Sequence, residues 1–365
     1  MRYVDEFRSK KLIQKAAGKI KAAMPARNLN IMEVCGTHTQ SFFRFGLDKI
    51  LPPNLRLIAG PGCPVCVSSQ RYIDGAIELA GHKDTILLTF GDMLRIPGSR
   101  SSLEKEKARF GNVRVVYSAF DSIKIAKLNP DKRVVFLAVG FETTAPTIAL
   151  SILAAKKEKL KNIFFYASLK LIPPAMEYLL RDKRLNLDGF LCPGHVSAVI
   201  GTKPYEFIPK RYKIPCCVTG FEPLDVLEGI YLLIDQIVKN NPKVANQYSR
   251  VVARGGNPKA VGIMNKVFVQ DTASWRGFGN ISKSGLKIRK EYSAFDAQKV
   301  FQLSSELGAW SSKVKTKCKC GDVLKGLISP AQCPLFAKTC TPDNPIGPCM
   351  VSQEGACNAY YRYKK

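Results

Sequence analysis

"VVFLAVGFETTAPTIALSILAAKKEKL" (residues 134–160) shows in one segment how the chain is organised. Residues 134–141 form an apolar run with the length of a buried strand, far shorter than the roughly 18–20 residues that a membrane span needs. Glu142 follows the run directly, and an apolar helical segment starts near Ala145. A buried strand that leads through a polar turn into a helix is typical of a parallel α/β sheet.

The same pattern recurs along the chain. It is repeated in LNIMEVCGTH (29–38), LRLIAGPGCPVC (55–66), TILLTFGDM (85–93) and GFLCPGHVSAVIG (189–201). In such sheets, ligands bind beyond the carboxyl ends of the strands, so we expect these polar clusters to face a common cleft. The predicted fold class is α/β, with two doubly wound parallel-sheet domains and an irregular cysteine-rich domain.

Composition shifts predict four segments. An N-terminal helix (1–29) is expected to pack on the cysteine-rich domain. Residues 30–128 and 129–225 are predicted as two α/β domains, separated by turn residues at 127–133. Residues 226–365 are predicted to form a C-terminal region that begins helical and ends in a segment rich in Cys, Pro and Gly.

The chain of 365 residues is strongly basic, with 56 Lys+Arg against 29 Asp+Glu and a formal net charge of +27. Positive charge of this size is compatible with nucleic acid or acidic protein partners. The basic residues are scattered in short pairs without an interleaved aromatic motif, which favours a solvated lysine-rich surface and no nucleic-acid partner. With no apolar run long enough for a membrane span and no secretory signal, we expect a cytoplasmic protein.

Twelve cysteines stand against three histidines. Without a secretory signal, this ratio suggests metal or redox chemistry more than a disulfide framework. Six of them crowd into the C-terminal segment, at Cys318, Cys320, Cys333, Cys340, Cys349 and Cys357. So many thiols without histidines favour an iron–sulfur centre, while zinc or structural disulfides remain the alternative. A four-iron cluster needs four thiolates and leaves two cysteines for a redox pair.

Two further cysteine motifs follow predicted strands. Cys63 and Cys66 form a CxxC before a predicted helix, where the helix dipole lowers a thiol pKa and suits redox cycling. The alternatives are half of a zinc site or two buried thiols. Cys35 precedes His38 by three residues. This pair fits half of a metal site, a nucleophile with its base, or a buried thiol near a core histidine.

Other strand ends supply weaker candidates. Glu142 is a candidate base or hydrogen-bond acceptor, and His195 is a candidate in a Gly-flanked turn. Asp92 is a lesser cleft candidate. The sequence has no phosphate-binding loop, dinucleotide-binding glycine motif, nucleophile elbow or HExxH motif, so nucleotide, hydrolase and metalloprotease functions lack support. Residues assigned to packing are Cys192, Cys216 and Cys217.

The motifs CGTHT, GPGCPVC, GFETTAP and PGHVSAVIG occur in this order, followed by a cysteine-rich tail with CNAYY. Together they closely resemble the [NiFe]-hydrogenase maturation factor HypD family over nearly the whole chain. The family's cluster pattern, C-x14-C-x6-C-x16-C, falls on Cys318, Cys333, Cys340 and Cys357. By the resemblance, the remaining pair Cys320 and Cys349 forms a redox disulfide, as does the CxxC.

The resemblance implies a metallocentre-assembly scaffold with redox activity rather than a conventional metabolic enzyme. Such proteins bind the small chaperone HypC and hold one Fe(II) while it acquires two cyanides and one CO. Cyanide comes from HypE with HypF upstream, and the Fe(CN)2CO unit passes through HypC to the hydrogenase large subunit. By resemblance, Cys35 holds this iron with a HypC cysteine. By the same resemblance, a [4Fe–4S] cluster exchanges electrons with the CxxC. From their positions at strand ends, we expect His38 to hydrogen-bond the iron-bound ligands or tune the Cys35 thiolate, and Glu142 and His195 to support the site or transfer protons.

Two other functions compete with this interpretation. An iron–sulfur thiol-disulfide reductase acting on a protein partner shares the cluster and the CxxC but gives Cys35 no necessary role. An RNA-modifying iron–sulfur protein rests on net charge alone and predicts salt-sensitive RNA binding.

Overall fold

The structure, a computed structural model, describes residues 4–303 and 317–364. It confirms the predicted α/β class, with helices and strands alternating around two sheets in which parallel pairing dominates. The predicted segments 1–29 and 226–365 extend into residues outside the described ranges. In the described part of the chain, no helix is long and apolar enough to cross a membrane.

The strands are short, as expected for buried parallel strands. They are β1 (Leu29–Glu33), β2 (Leu55–Ala59), β3 (Thr85–Thr89), β4 (Val113–Val115), β5 (Arg133–Gly140), β6 (Ile163–Lys170), β7 (Gly189–Pro193), β8 (Cys216–Thr219), β9 (Val244–Asn246), β10 (Phe268–Trp275) and β11 (Gly279–Ile288).

The helices connect these strands. They are α1 (Lys10–Ala23), α2 (Gly36–Arg44), α3 (Gln70–Ala80), α4 (Leu103–Phe110), α5 (Asp121–Leu128), α6 (Ala145–Lys157), α7 (Ile172–Leu180), α8 (Gly194–Ile200), α9 (Pro223–Val238), α10 (Pro258–Val267), α11 (Ala297–Val300), α12 (Cys320–Leu324) and α13 (Ala356–Tyr363). Short 3-10 turns lie at Glu6–Arg8, Leu47–Lys49, Gly91–Met93, Lys203–Tyr205, Lys290–Phe295, Pro330–Gln332 and Pro348–Met350, and a π-helical turn at Ile208–Tyr212.

Sheet 1 has the strand order β2-β1-β7-β8-β9 and is parallel throughout. Sheet 2 has the order β10-β11-β6-β5-β3-β4, with an antiparallel hairpin, β10–β11, added at the edge beside β6. In sheet 1, β2 lies on one side of β1, and β7, β8 and β9 follow on the other side. The strand order therefore reverses at β1, and the crevice at this point lies between the ends of β1 and β7. Ligand sites of open α/β sheets form at such crevices.

The two sheets are interleaved in sequence. Strands β1 and β2 belong to sheet 1, β3–β6 to sheet 2, β7–β9 to sheet 1 again, and β10–β11 to sheet 2. Sheet membership therefore does not follow the predicted boundary between 30–128 and 129–225. Each strand–helix unit has the same local pattern, and the sheet that a unit joins depends on long-range pairing that the local pattern does not encode.

Strand β5, which contains most of the apolar run at 134–141, separates two hydrophobic cores. It is buried on both faces, as the continuous apolar run predicts. Side chains alternate between faces, and each face belongs to a different core. One core contains Val134, Phe136 and Ala138, and the other Val135, Leu137 and Val139.

A third core lies on the outer face of sheet 1. Helix α1 packs against α9 and places Ile20 in a cluster that also contains Val226 of α9 and Ala359 of α13. Helix α9 starts at a capping box formed by Glu222 and Asp225, with Pro223 in its first turn. The N-terminal helix thus packs on α9, and its Ile20 shares one hydrophobic core with residues of α9 and α13.

Candidate functional site

The predicted polar clusters of sheet 1 lie along one edge. Strand β1 leads to Cys35, β2 to the CxxC, β7 to His195 and β8 to Phe221. All four strands run in the same direction, so these residues come together at the carboxyl edge although they are far apart in sequence.

The CGTH loop and the GPGCPVC loop are in direct backbone contact. The N–H of Gly36 donates to the carbonyl of Gly62 at 3.1 Å. A methyl group on Gly62 would lie 2.3 Å from Cα of Cys35, and one on Gly36 would lie 2.3 Å from the carbonyl oxygen of Glu354. Both positions require glycine because three backbone segments meet there.

Cys35 is buried between two carboxylates. Glu33 accepts hydrogen bonds from the backbone N–H of Cys35 at 3.0 Å and from the Thr39 hydroxyl. Glu354 accepts from the Thr37 hydroxyl at 2.7 Å. Burial raises the pKa of both carboxyl groups. Burial and these two acidic neighbours raise the pKa of Cys35 to about 12, so a bound cation would have to compensate a thiolate here.

His38 is fully buried beside this thiol loop. Its Nε2 lies 2.9 Å from both the Gly220 carbonyl and the Thr219 hydroxyl. A carbonyl only accepts, so Nε2 carries the ring proton and Nδ1 keeps a lone pair. That buried Nδ1 has no hydrogen-bond partner among the residues that the structure describes. Burial lowers the pKa of His38 to about 4, so the ring is neutral near pH 7.

The structure also brings His195 to this edge. The Phe221 ring stacks on His38 with 4.8 Å between ring centroids and on His195 with 4.0 Å. His195 is one of the solvent-exposed residues, but its side chain is still partly desolvated, and this desolvation lowers its pKa. The two predicted histidines therefore share one aromatic ring, with one imidazole inside the protein and the other at its surface.

Cys63 and Cys66 are both buried, and the backbone N–H of Cys66 donates to the Cys63 sulfur at 3.2 Å. Helix α3 starts only at Gln70, with Ser69 as its N-cap. Burial raises the pKa of the Cys66 thiol, in contrast to the lowering that a helix terminus was expected to produce. Because α3 begins beyond the CxxC and the effect of a helix terminus falls off within its first turn, desolvation decides the direction of this shift.

The six C-terminal cysteines line one small cavity, here called the cysteine cavity. Hydrogen bonds from Cys357 and Cys66 lower the pKa of Cys349, and a hydrogen bond from Cys320 lowers that of Cys318. All twelve cysteines of the chain are free thiols in this structure. The members of the cysteine cavity are Cys318, Cys320, Cys333, Cys340, Cys349 and Cys357.

The CxxC meets this cavity where the Cys66 thiol donates to the carbonyl of Pro348 at 3.7 Å, directly before Cys349. The thiols of Cys66 and Cys349 shift each other's pKa, as do those of Cys349 and Cys357, so these side chains lie close together. We call the series Cys63, Cys66, Cys349 and Cys357 the thiol path. The path runs from the edge of sheet 1 into the C-terminal segment. Its two ends, Cys63 and Cys357, are separated by almost 300 positions in the sequence.

The lining of the cysteine cavity has a donor set of six thiols, and no histidine or carboxylate is among its lining residues. Thiolates are the ligands that iron–sulfur clusters use, and they are also ligands of zinc.

Glu142 is not part of the thiol path. It lies at the carboxyl edge of sheet 2, buried, and accepts a hydrogen bond from the N–H of Ile172 at 2.9 Å, at the start of α7. Burial raises its pKa to about 8. Asp92, which follows β3, contributes to the raised pKa of Glu354, and Arg95 of the same loop donates to the carbonyl of Pro342 in the C-terminal segment. The residues assigned to packing, Cys192, Cys216 and Cys217, are fully buried in β7 and β8.

Sequence reasoning missed three residues of the site: Glu33, Glu354 and Phe221. Glu33 carried a usable signal, because a carboxyl group inside an otherwise apolar strand that leads to a cysteine is unusual. Glu354 and Phe221 had none. Their roles depend on which loops the fold brings together.

The fold and the site define an α/β protein with a thiol-rich centre, assembled where the carboxyl edges of two sheets meet a cysteine-rich segment. The family model HypD, described as "Hydrogenase formation hypA family", matches residues 11–364. The chain is 44% identical over 372 residues to the hydrogenase maturation factor HypD2 of Bradyrhizobium diazoefficiens, covering 100% of this chain and 97% of the relative.

Two further relatives agree. The hydrogenase expression/formation protein HupD of Azotobacter chroococcum is 45% identical over 371 residues, covering 100% of this chain and 97% of the relative. The hydrogenase maturation factor HypD of Escherichia coli is 42% identical over 372 residues, covering 100% and 99%. The chain therefore belongs to the HypD family and has a role in hydrogenase maturation.

Proposed function

We propose that this protein is the scaffold on which the Fe(CN)2CO unit of [NiFe]-hydrogenase is assembled. One iron is held jointly by Cys35 and a cysteine of HypC, and it receives cyanide from HypE, with HypF upstream. The finished unit passes through HypC to the hydrogenase large subunit. The observation that carries this proposal is the contact of the Cys35 loop with the CxxC loop, which the thiol path connects to the cysteine cavity.

Cys35 supplies the anchor for the iron. A thiolate is a soft ligand suited to iron that carries cyanide and CO. Binding requires loss of the thiol proton, which burial of Cys35 opposes, as do Glu33 and Glu354 when they are ionised. A cation at this loop favours the ionised forms of the thiol and of the two carboxyl groups together. The thiol is thus kept protonated until iron arrives and is stabilised as a thiolate by the iron itself.

His38 orients this loop and offers an acceptor. Its Nε2–H is fixed on the Gly220 carbonyl and its ring on Phe221, so the Nδ1 lone pair has a defined direction. A neutral imidazole of this kind accepts a hydrogen bond without adding charge. We assign His195, on the exposed face of Phe221, to proton exchange with solvent. Glu142 supports the neighbouring sheet edge through α7.

The thiol path carries electrons between the cysteine cavity and the CxxC. Oxidation of the Cys63 and Cys66 thiols to a disulfide releases two electrons and two protons, and reduction takes up the same number. When bound through Cys318, Cys333, Cys340 and Cys357, a [4Fe–4S] cluster supplies electrons one at a time. We assign Cys349 to thiol-disulfide exchange with the CxxC and Cys320 as its partner in a disulfide; the mutual effect of Cys349 and Cys66 on their pKa values supports the first assignment.

The test is anaerobic co-purification with HypC from cells that also contain HypE and HypF, followed by infrared spectroscopy. We expect cyanide and CO stretching bands in the wild type and their loss in Cys35→Ala. The matched control is Cys217→Ala, a buried cysteine of β8 that belongs to a different core. Bands that persist in Cys35→Ala would rule out Cys35 as the anchor.

A thiol-disulfide reductase is the second candidate, favoured by the continuity of the thiol path. It predicts that Cys35→Ala keeps full disulfide-reducing activity and that Cys66→Ser abolishes it. The scaffold predicts that both variants lose the infrared bands. Assaying both variants for both properties separates the two functions.

A further inference from the structure

Arg276 lies in the turn between β10 and β11, where it is fixed to the CxxC loop. Its backbone N–H donates to the carbonyl of Val67 at 2.9 Å, and its Nε–H donates to the carbonyl of Ser68 at 2.8 Å. These two residues directly follow Cys66. The arginine is therefore held at a constant position relative to the thiol path.

The same turn contacts the cysteine cavity. Gly277 packs its backbone against Gly321, the neighbour of Cys320, and a methyl group on Gly277 would lie 2.4 Å from the Gly321 Cα. The charge of Arg276 acts on the thiols of Cys320 and Cys349. The guanidinium thus lies between the CxxC loop and the first cysteines of the cavity.

Among residues 4–303 and 317–364, no carboxylate forms a hydrogen bond with this guanidinium. In that part of the chain its buried Nη2 has no hydrogen-bond partner, and its Nε–H donates to a carbonyl rather than to a carboxylate. Asp74 acts on it electrostatically, but the Asp74 carboxylate accepts from the N–H and hydroxyl of Ser99, both at 2.6 Å, and from Gln70 at 3.3 Å. A buried cation without an anion is unfavourable, so a negative group is expected beside it.

We propose that Arg276 is the fixed counter-charge of the cysteine cavity and sets the reduction potential of the centre held there. The inference rests on the proposed function, since that function places a cluster in the cavity. Four thiolates give such a centre net negative charge, and each added electron increases it. A nearby fixed cation stabilises the reduced form most, which raises the reduction potential.

The proposal assigns Arg276 a positioning role rather than a catalytic one, because it acts through charge on groups that exchange electrons. The experiment uses full-length protein, reconstituted anaerobically with iron and sulfide, and follows the cluster by EPR during a redox titration. We expect Arg276→Gln to lower the equilibrium constant for one-electron reduction about tenfold, which is about 59 mV in midpoint potential. Arg276→Lys, which keeps the charge, is expected to recover most of this shift.

Arg289→Gln is the matched control. Arg289 lies on the same hairpin but donates its Nε–H to the carbonyls of Asn265 and Phe268, away from the cysteines. Removing this charge changes the total charge of the protein equally, and we expect the midpoint potential to stay at the wild-type value. An equal shift in Arg289→Gln would show a non-specific effect and overturn the proposal.

The remaining outcomes also decide the matter. A cluster with unchanged potential in Arg276→Gln overturns this inference and leaves the proposed function intact. Loss of the cluster in Arg276→Gln but not in Arg276→Lys supports the counter-charge, and loss in both variants overturns it in favour of a role of side-chain shape. A wild-type chain whose iron and sulfide content shows no cluster after reconstitution overturns both the proposed function and the inference.

Discussion

Replacing Gly62 with alanine should separate the iron-anchoring loop from the CxxC loop. The new methyl group would lie 2.3 Å from both Cα and N of Cys35, whereas real contacts of this kind stay above 3.0 Å. The two loops must therefore move apart by at least about 0.7 Å. Both partners are backbone, so no side-chain rotation relieves the clash. Overpacking of this kind costs about 1–3 kcal/mol, and we expect the upper part of that range.

The displacement also weakens the bond from the N–H of Gly36 to the carbonyl of Gly62, now 3.1 Å long. We expect urea denaturation of Gly62→Ala to show the loss of stability, and infrared spectra of its complex with HypC to show weak or absent cyanide and CO bands. Gly18→Ala is the control, because nothing lies within 4 Å of a methyl group there. It replaces a glycine inside α1 and should stabilise the chain slightly. Unchanged stability and unchanged bands in Gly62→Ala would refute the argument from loop contact.

Other predictions concern buried ionisable groups and the thiol path. Burial holds the pKa of Glu142 at about 8 against 4.5 when unfolded, so the free energy of unfolding should fall as pH rises from about 4.5 to 8, by up to about 5 kcal/mol. Glu142→Gln, measured by urea denaturation across this range, should flatten the slope; an unchanged slope would contradict it. Burial lowers the pKa of Lys170 to about 7 against 10.5, so stability should rise between about pH 7 and 10.5, and Lys170→Met should remove that rise. Cys349→Ser should slow reduction of the Cys63–Cys66 disulfide by the reduced cluster, followed by alkylation and mass spectrometry, while Cys217→Ser should match the wild type. Equal rates in the two variants would exclude Cys349 from the path.

The local units of the fold could be predicted from the sequence. The apolar run at 134–141 corresponds to β5 (Arg133–Gly140), and the segment after it corresponds to α6 (Ala145–Lys157). Such units follow from periodicity and from turn residues, which act over a few positions. The rule that ligand sites form at the carboxyl edges of parallel sheets also predicted that Cys35 and the CxxC lie close together.

The interleaving of the sheets could not be predicted, because β7 pairs with β1 across more than 150 residues and nothing local selects that partner. For the same reason, the sequence did not reveal which charges surround the thiols. Glu354 reaches Thr37 from the far end of the chain, and Arg276 reaches the cavity from a hairpin of the other sheet. The distances within the thiol path could not be predicted either. They depend on how three loops pack against one another, which is a property of the whole fold.

The position of Glu354 connects the two halves of the site. It lies between Cys349 and Cys357 in sequence, so the segment that carries it is shaped by the cysteine cavity. Its carboxylate accepts from the Thr37 hydroxyl at 2.7 Å, and its backbone fills the space that a side chain at Gly36 would occupy. The acidic surroundings of Cys35 are therefore complete only when the C-terminal segment is docked against α2. Because one of the two carboxylates around the anchoring thiol comes from the segment that binds the proposed cluster, loss of that segment's structure should weaken iron binding at Cys35 even with the CGTH loop intact.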